Sequence, residues 1–252
     1  MSIQAVNVVK IKPNIPASLQ HTEAFDANDV LFDWTEFKVP RGANRLIGLQ
    51  ALIRGTNGVR QEQPFDLYFS ESNSFSLGTV NSAVSMQPNN DLIGSVAVLK
   101  SHYTDGINTM EVADVPTNQR LIMVGAREPE DFDAQAGGRP GYHVKSGGKV
   151  MYIAGVAQDA LDFQSTVKTT LDITNGTAND ITVDTTSALI NFAPGDLLHA
   201  HDNAVIGTVG SIPDVTSIIL KGNTTNQETL ANNDDIYNLN PITILLNFTY
   251  TT

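Results

Sequence analysis

Hydrophobic and polar positions alternate over short runs of this chain, with the two-residue period of β-strands. The runs are rich in Val, Ile, Thr, Phe and Tyr, and Asn, Asp, Gly and Pro separate them. Apolar residues at helical spacing do not persist beyond a turn or two. In the first part of the chain the pattern predicts strands over residues 5–11, 31–39, 45–54, 65–70, 91–100, 120–126 and 149–157.

Pro13 and Pro16 follow the first of these strands, residues 5–11. Because proline cannot donate a ladder hydrogen bond, this segment is not expected at the centre of a sheet. It is predicted to be a strand or an extended arm that lies across a neighbouring subunit. Further along, Asn57-Gly58 predicts a hairpin turn, since both residues accept positive φ.

Three features mark the middle of the chain. Gly94 lies inside a strand pattern and predicts a bulge or a close approach of two backbones. Residues 120–126 form a continuous apolar run, which is consistent with a strand buried on both faces. Residues 128–148 are rich in Gly, Pro and charged residues and predict a long exposed loop, a type of segment that often makes interactions.

A second pattern begins near Ser165, with strands spaced as in small barrels and sandwiches. Its predicted non-strand features are turns at Asn175-Gly176 and Asp202-Asn203 and a short helical turn over residues 186–191. The apolar run at residues 242–250 predicts a final strand. That strand either closes the second module or returns to the first.

These elements predict an all-β protein with two modules. Residues 1–164 are predicted to form a β-sandwich, jelly-roll-like in its strand count and spacing, with an extended N-terminal arm. Residues 165–252 are predicted to form a second, acidic module, either a small β-barrel or a β-sandwich.

Composition narrows the function class. The chain has 252 residues, of which 41% are hydrophobic, so a folded core is expected. It has no cysteine, which excludes disulfides and thiolate chemistry. No apolar run is long enough to span a membrane, so no membrane partner is expected. Export by a signal peptide is not indicated either, because the first ten residues lack its charged and apolar regions.

The charge balance is strongly acidic, with a net charge of −12. From residue 150 onward, two basic residues stand against eleven acidic ones, so this part carries −9 of the total. Nucleic-acid binding is disfavoured, because phosphate-binding surfaces are normally basic. The acidic surface is typical of a soluble outward-facing module, and the alternative is a surface that binds or is screened by cations.

Motifs of known chemistry are absent from the sequence, and no catalytic or cofactor-binding residue is predicted. The best metal candidate is the pair His199 and His201, which would share one face of a strand. A third ligand is not evident, so no metal site is assigned and the alternative is two exposed histidines at a hairpin tip. Carboxylates that could supply oxygen ligands to Ca²⁺, at spacings unlike an EF-hand, are Asp172, Asp180 and Asp184.

The other polar and aromatic clusters are expected to have structural rather than catalytic or ligand-binding roles. The carboxylates Glu128, Glu130, Asp131 and Asp133 are expected to be solvated or to contact a partner's arginine. His102, Tyr103 and Asp105 form a polar cluster without a nucleophile. The single tryptophan, Trp34, is expected in the core rather than as a ligand platform.

The C-terminal part contains Pro194-Gly195-Asp196-Leu197-Leu198, followed by runs at residues 205–209, 217–220 and 233–237. This succession resembles β modules in virion structural proteins of tailed phages, including marine and cyanobacterial myophages. The resemblance covers roughly the last 100 residues, the size of a small domain. It is a pattern of β segments, so no functional residue is transferred.

The resemblance implies a non-enzymatic capsid decoration or cement protein that stabilises the shell by protein–protein contacts. Its expected partners are a major capsid or other virion protein and copies of itself, in a homotrimer, within a virion assembled in the host cytoplasm. One alternative is a tail or neck structural protein. Another is a carbohydrate- or receptor-binding β protein, with the aromatic platforms Tyr103, Tyr142 and Tyr237.

Overall fold

The computed structural model describes residues 4–22, 24–39, 42–56, 58–85, 91–104, 110–116, 122–125, 149–163, 167–184 and 188–251. The all-β prediction is confirmed, since two short helices are the only α-helices within these ranges. The strands are β1 Gln4–Ile11, β2 Val30–Val39, β3 Gly42–Ile53, β4 Phe65–Ser70, β5 Leu92–Val98, β6 Glu111–Pro116, β7 Ile122–Gly125, β8 Lys149–Ala157, β9 Asp180–Thr182, β10 Leu197–Ala200, β11 Val205–Asp214, β12 Ser217–Leu220, β13 Ile236–Asn238 and β14 Ile242–Thr251. The helices are α1 Ala17–Thr22 and α2 Ala188–Asn191.

Two antiparallel sheets form a sandwich with jelly-roll topology. The first sheet has the order β1-β14-β3-β6, with β7 also paired to β3, and the second has the order β2-β8-β4-β5. The pairs β4·β5, β3·β6, β2·β8 and β1·β14 are nested one within the next along the chain. Such nesting is what results when one long antiparallel ribbon wraps into two facing sheets, which is the jelly-roll arrangement.

The sandwich core lies between the inner faces of the two sheets. Phe32, Phe65 and Phe69 of the second sheet belong to the same buried cluster as Leu49 and Phe248 of the first. Alternation along each strand supplies these inward side chains, as expected for packed antiparallel sheets. The central strand β14 has no charged residue, which suits its place between two neighbours.

The last strand, which the sequence left unassigned, belongs to the sandwich. It pairs with β1 on one side and β3 on the other. The predicted acidic module, residues 165–252, included this last strand. The pairing of β14 with β1 and β3 shows that the strand belongs to the sandwich instead. The division into domains at residue 165 otherwise stays a prediction.

Residues 167–238, here called the inserted module, lie in the connection from β8 to β14. Their strands form a sheet in the order β13-β10-β11-β12-β9, over a separate buried apolar cluster. Isolated bridges join Lys168 to Asp235 and Thr169 to Val183, near the two ends of this sheet. The described strands therefore surround a small core and do not close into a barrel, which was one of the two predicted forms of this module.

Two local predictions need correction. Gly58 has the positive φ of a turn, and Asn57 lies outside the described residues. The strands before and after this turn, β3 and β4, lie in different sheets, so Asn57-Gly58 is not the turn of a β-hairpin. The N-terminal segment is a strand of its own sheet, paired with β14 from Gln4 to Ile11, rather than an arm.

Other local predictions are confirmed. The ladder between β4 and β5 shifts register next to Gly94, as the bulge prediction requires. Asn175-Gly176 and Asp202 lie in turns, and Asn203 has a φ of 70°. Residues 188–191 form the short helix α2. The predicted long loop at residues 128–148 lies outside the described residues.

Candidate functional site

The sandwich and the inserted module meet along the segment that follows β1. The Ile15 N–H donates to the Leu239 carbonyl over 2.8 Å, and the Leu239 N–H donates to the Leu197 carbonyl over 2.9 Å. Side chains of the two units then complete a polar cluster, which we call the junction network. Its members are Lys12, Gln20, Asp196, Asn238 and Asn240.

Asp196 is the charged centre of the junction network, and its residue exposure is 0%. Its carboxylate forms an ion pair with Lys12 Nζ. It also accepts hydrogen bonds from the Ala193 N–H at 2.8 Å and from Asn238 Nδ2 at 2.9 Å. A buried carboxylate is costly unless it is paired and hydrogen-bonded, and these three donors meet that requirement.

The amide side chains extend the network across the junction. Asn238 Nδ2 also donates to the Asn191 carbonyl at 2.8 Å. Asn240 Nδ2 donates to the Pro13 carbonyl at 3.2 Å and to Asn14 Oδ1 at 2.8 Å. Gln20 Nε2 donates to the Ile15 carbonyl at 2.6 Å and to the Asn238 carbonyl at 3.0 Å.

This geometry suits a rigid connection between the sandwich and the inserted module. Its polar atoms already contact one another, and satisfied buried networks favour a single arrangement. The sequence did not single out these residues as a cluster, because Lys12 and Asp196 are 184 positions apart. The short helix α1, which supplies Gln20, was also missed, although Pro16 just before it is a helix-start signal.

The two candidate metal ligands are not equivalent. His199 lies on β10 and is 7% exposed, whereas His201 is exposed in the turn after that strand. Nδ1 of His199 is 2.8 Å from the Asn203 carbonyl, so the neutral ring donates its proton there. Its Nε2 is buried without a hydrogen-bond partner among the described residues. Burial lowers the pKa of His199, while the Asn203 hydrogen bond and the charge of Asp202 act in the opposite direction.

Two of the three candidate Ca²⁺ ligands have separate partners. Asp172 accepts from the Asn232 N–H at 2.7 Å, and Asp180 accepts from Ser217 Oγ at 2.6 Å. Within the described ranges, no three His, Asp or Glu side chains are grouped so as to hold a metal ion.

Glu111 is a buried carboxylate that the sequence did not single out. It accepts from the Gln61 N–H at 2.9 Å and from the Glu62 N–H at 2.7 Å. Burial raises its pKa, and these two hydrogen bonds partly oppose the rise. Tyr103 lies nearby and donates to the Gln63 carbonyl at 2.7 Å, so both side chains hold the connection from β3 to β4.

The remaining candidates are scattered or undescribed. Nδ1 of His102 accepts from the Leu99 N–H at 3.1 Å, a local turn contact. Burial and then the charge of Asp235 raise the pKa of Tyr237 to about 12, and this ring is only 2% exposed, so it offers no platform. Asp105, Tyr142 and the carboxylates from Glu128 to Asp133 lie outside the described residues.

A cleft of about 360 Å³ opens beside the junction network. We call it the Trp34 cleft. Its lining residues are Lys12, Asn14, Pro16, Asp33, Trp34, Thr35 and Val80. The expectation of a core tryptophan is therefore only partly met, because Trp34 packs on a small apolar cluster and also borders this cleft.

Comparison with known proteins returned no relative. No protein-family model, curated protein or solved structure matches the chain. Within the described residues, neither helix has the length and apolar character needed to cross a membrane.

Proposed function

We propose that this chain is a non-enzymatic structural protein of a tailed-phage virion, acting as a capsid decoration or cement subunit. The observation that carries the proposal is a jelly roll with an acidic module inserted in its last connection and locked by a buried network. Double-sheet jelly rolls occur in viral capsid and lectin domains. Since a fold alone does not define a function, the resemblance and the surface features add the rest.

The charge distribution supports different roles for the sandwich and the inserted module. Residues 167–238 contain two basic and nine acidic residues, so the inserted module carries −7 of the net charge of −12. An acidic module of this kind suits exposure to solvent on a particle surface. The sandwich, which carries the smaller share of the net negative charge, is then the unit that binds the capsid shell and neighbouring subunits.

Strand β1 is the surface that we propose for self-association. It has β14 as its one strand neighbour among the described residues, which leaves an edge open. Val6 and Val8 on this edge strand are 64% and 54% exposed. Open apolar edges are a hazard in free monomers and are commonly covered in assemblies.

Solution mass tests the self-association step. Light scattering at two protein concentrations, with and without EDTA, is expected to give three times the chain mass of 27.1 kDa in every condition. The double variant Val6→Lys, Val8→Lys is expected to be monomeric, whereas Val215→Lys, at an exposed position of the inserted module, remains trimeric. A parent chain that is monomeric at both concentrations would contradict self-assembly.

Position on the particle tests the virion role. Antibodies against the inserted module, imaged on intact tailed virions that contain the protein, are expected to label the capsid. Label confined to the tail or neck would favour the alternative virion role. Absence of the chain from purified virions, by mass spectrometry, would overturn both.

A further inference from the structure

Trp34 owes its orientation to an irregularity in β2. The ladder runs from Phe32 opposite Gly155 to Thr35 opposite Ile153, so β2 has one residue more than β8 between these points. This bulge places Phe32 in the sandwich core while Trp34 packs with Val30 and Val156 in a separate cluster. Bulges are known to redirect side chains next to functional sites.

The wall beside Trp34 is held in place by hydrogen bonds. Its indole Nε1 donates to the Phe75 carbonyl at 2.8 Å. The carboxylate of Asp33 accepts from the Leu77 N–H at 2.8 Å and from Ser76 Oγ at 2.5 Å. The loop at residues 75–77 is therefore held against β2, and the Trp34 cleft is formed before any ligand binds, as is usual for small-molecule sites.

The two charged groups that line the Trp34 cleft already have partners within the protein. Lys12 forms an ion pair with Asp196, and the Asp33 carboxylate accepts hydrogen bonds from Ser76 Oγ and the Leu77 N–H. The other lining groups are neutral. They are the Asn14 amide, the Thr35 hydroxyl and the apolar side chains of Pro16, Trp34 and Val80.

Neutral polar groups beside an aromatic ring match the chemistry of a sugar. A sugar ring has a face of C–H groups that packs on the electron-rich face of an aromatic side chain, and its hydroxyls exchange hydrogen bonds with amides and hydroxyls. The cleft volume of about 360 Å³ is near the lower end of the roughly 300–1,000 Å³ typical of ligand sites. This size favours a short saccharide over a long chain.

We propose that the Trp34 cleft binds an uncharged saccharide. Trp34 supplies the apolar surface under the sugar ring, and Asn14 and Thr35 supply hydrogen bonds at the rim. The site is independent of the assembly role, since it does not involve β1. It would give a structural subunit a glycan-binding activity of its own.

The single tryptophan makes the test specific, because Trp34 is the chain's one indole fluorophore. The full chain is titrated with lactose, maltose, cellobiose and N,N′-diacetylchitobiose, and both the emission maximum and calorimetric heats are followed. We expect at least one disaccharide to shift the emission and bind with a Kd on the order of 1 mM. Glucose 6-phosphate is the charged comparison and is expected to bind more weakly.

Variants locate the binding to the cleft. Thr35→Val keeps the shape of the side chain and is expected to weaken binding about five- to tenfold, the loss of one hydrogen bond. Thr170→Val is the matched control. The Thr35 hydroxyl donates to the Asp33 carbonyl at 3.1 Å, and the hydroxyl of Thr170, an exposed threonine of the inserted module, donates in the same way to the Thr182 carbonyl at 3.4 Å. Trp34→Ala is expected to abolish the calorimetric heat, and thermal unfolding of each variant checks that it is folded.

Three results would overturn the proposal. The first is no emission shift and no heat with any of the four disaccharides at concentrations roughly tenfold above the expected Kd. The second is equal binding by the parent chain and Thr35→Val. The third is tighter binding of the phosphorylated sugar, which would mean that the cleft selects charge.

Discussion

At the scale of single residues, His199 is the clearest case of a titratable group whose neutral form the fold favours. The side chain is buried, its Nδ1 is committed to the Asn203 carbonyl, and its Nε2 has no hydrogen-bond partner among the described residues. Protonation would place a charge and an unpaired donor in a dry environment. Burial therefore lowers the pKa of His199 from the usual value of 6.5, despite the opposing effects of Asn203 and Asp202.

A lowered histidine pKa has a definite consequence for stability. Below about pH 6.5 the unfolded chain binds a proton at this residue that the folded chain resists, so acidification destabilises the fold. The contribution of His199 is complete above that pH and is lost as the pH falls through the folded-state pKa. We expect His199→Gln to lose less stability than the parent chain between about pH 7.5 and pH 5.5 in urea unfolding.

The neighbouring histidine provides the control. His201 is exposed, so His201→Gln is expected to keep the acid sensitivity of the parent chain. Equal pH dependence of the parent chain and His199→Gln would show that this ring does not resist protonation in the fold.

At the scale of elements, the contact between β2 and β8 depends on a glycine. Gly155 lies opposite Phe32, and a Cβ there would overlap the phenyl ring. We expect Gly155→Ala to lower the free energy of unfolding by about 1–3 kcal/mol, because the aromatic ring has to move in a packed core. Chemical denaturation followed by circular dichroism measures the change.

Gly48 offers a matched substitution in the other sheet. A Cβ at Gly48 would meet Asn247 Nδ2 at 3.6 Å, an ordinary contact. Gly48→Ala is expected to change the free energy of unfolding by less than about 1 kcal/mol. If the two alanine variants are equally stable, the packing of Phe32 over Gly155 is not the constraint described.

Strand positions could be predicted from the sequence more readily than strand partners. The apolar run at residues 242–250 shows the local period of a strand, but its neighbours β1 and β3 are distant in sequence, and no local pattern encodes them. The turn at Gly58 was likewise predicted locally, yet the strands on either side enter different sheets. The two-residue period of a strand shows which of its faces is apolar. Which strands pair with each other depends instead on the packing of the whole core.

The same limit applies to the candidate sites. The alternation in β2 predicts that Phe32 and Trp34 share one face, and the bulge between them places the two rings on opposite faces. The ion pair between Lys12 and Asp196 joins residues 184 positions apart. Neither feature has a local signal, so the Trp34 cleft and the junction network emerge only from the tertiary structure.

At the scale of the whole molecule, we expect the junction network to couple the sandwich and the inserted module into one unfolding unit. Interfaces between domains permit relative motion unless specific contacts prevent it. Here a buried ion pair and three buried amide side chains connect the segment after β1 to the inserted module. The cement role that we propose requires a subunit that transmits force between its neighbours, and a rigid junction would suit that role.

Removing the central carboxylate tests this coupling. Asp196→Ala leaves Lys12 and the amide of Asn238 without their shared acceptor. Breaking a buried ion pair from one side typically costs about 3–5 kcal/mol, and the value here is expected near the lower end because the Lys12 side chain is 19% exposed. We also expect the parent chain to unfold in a single transition and Asp196→Ala to unfold in two, as the inserted module and the sandwich lose their coupling.

A surface ion pair within the inserted module is the matched control. Lys168 and Asp235 are 2.8 Å apart, and their side chains are 42% and 25% exposed. Because exposed pairs contribute at most about 1 kcal/mol, Asp235→Ala is expected to retain one transition and nearly the parent stability. Differential scanning calorimetry distinguishes the two variants, and one unchanged transition in Asp196→Ala would mean that the apolar contacts alone hold the units together.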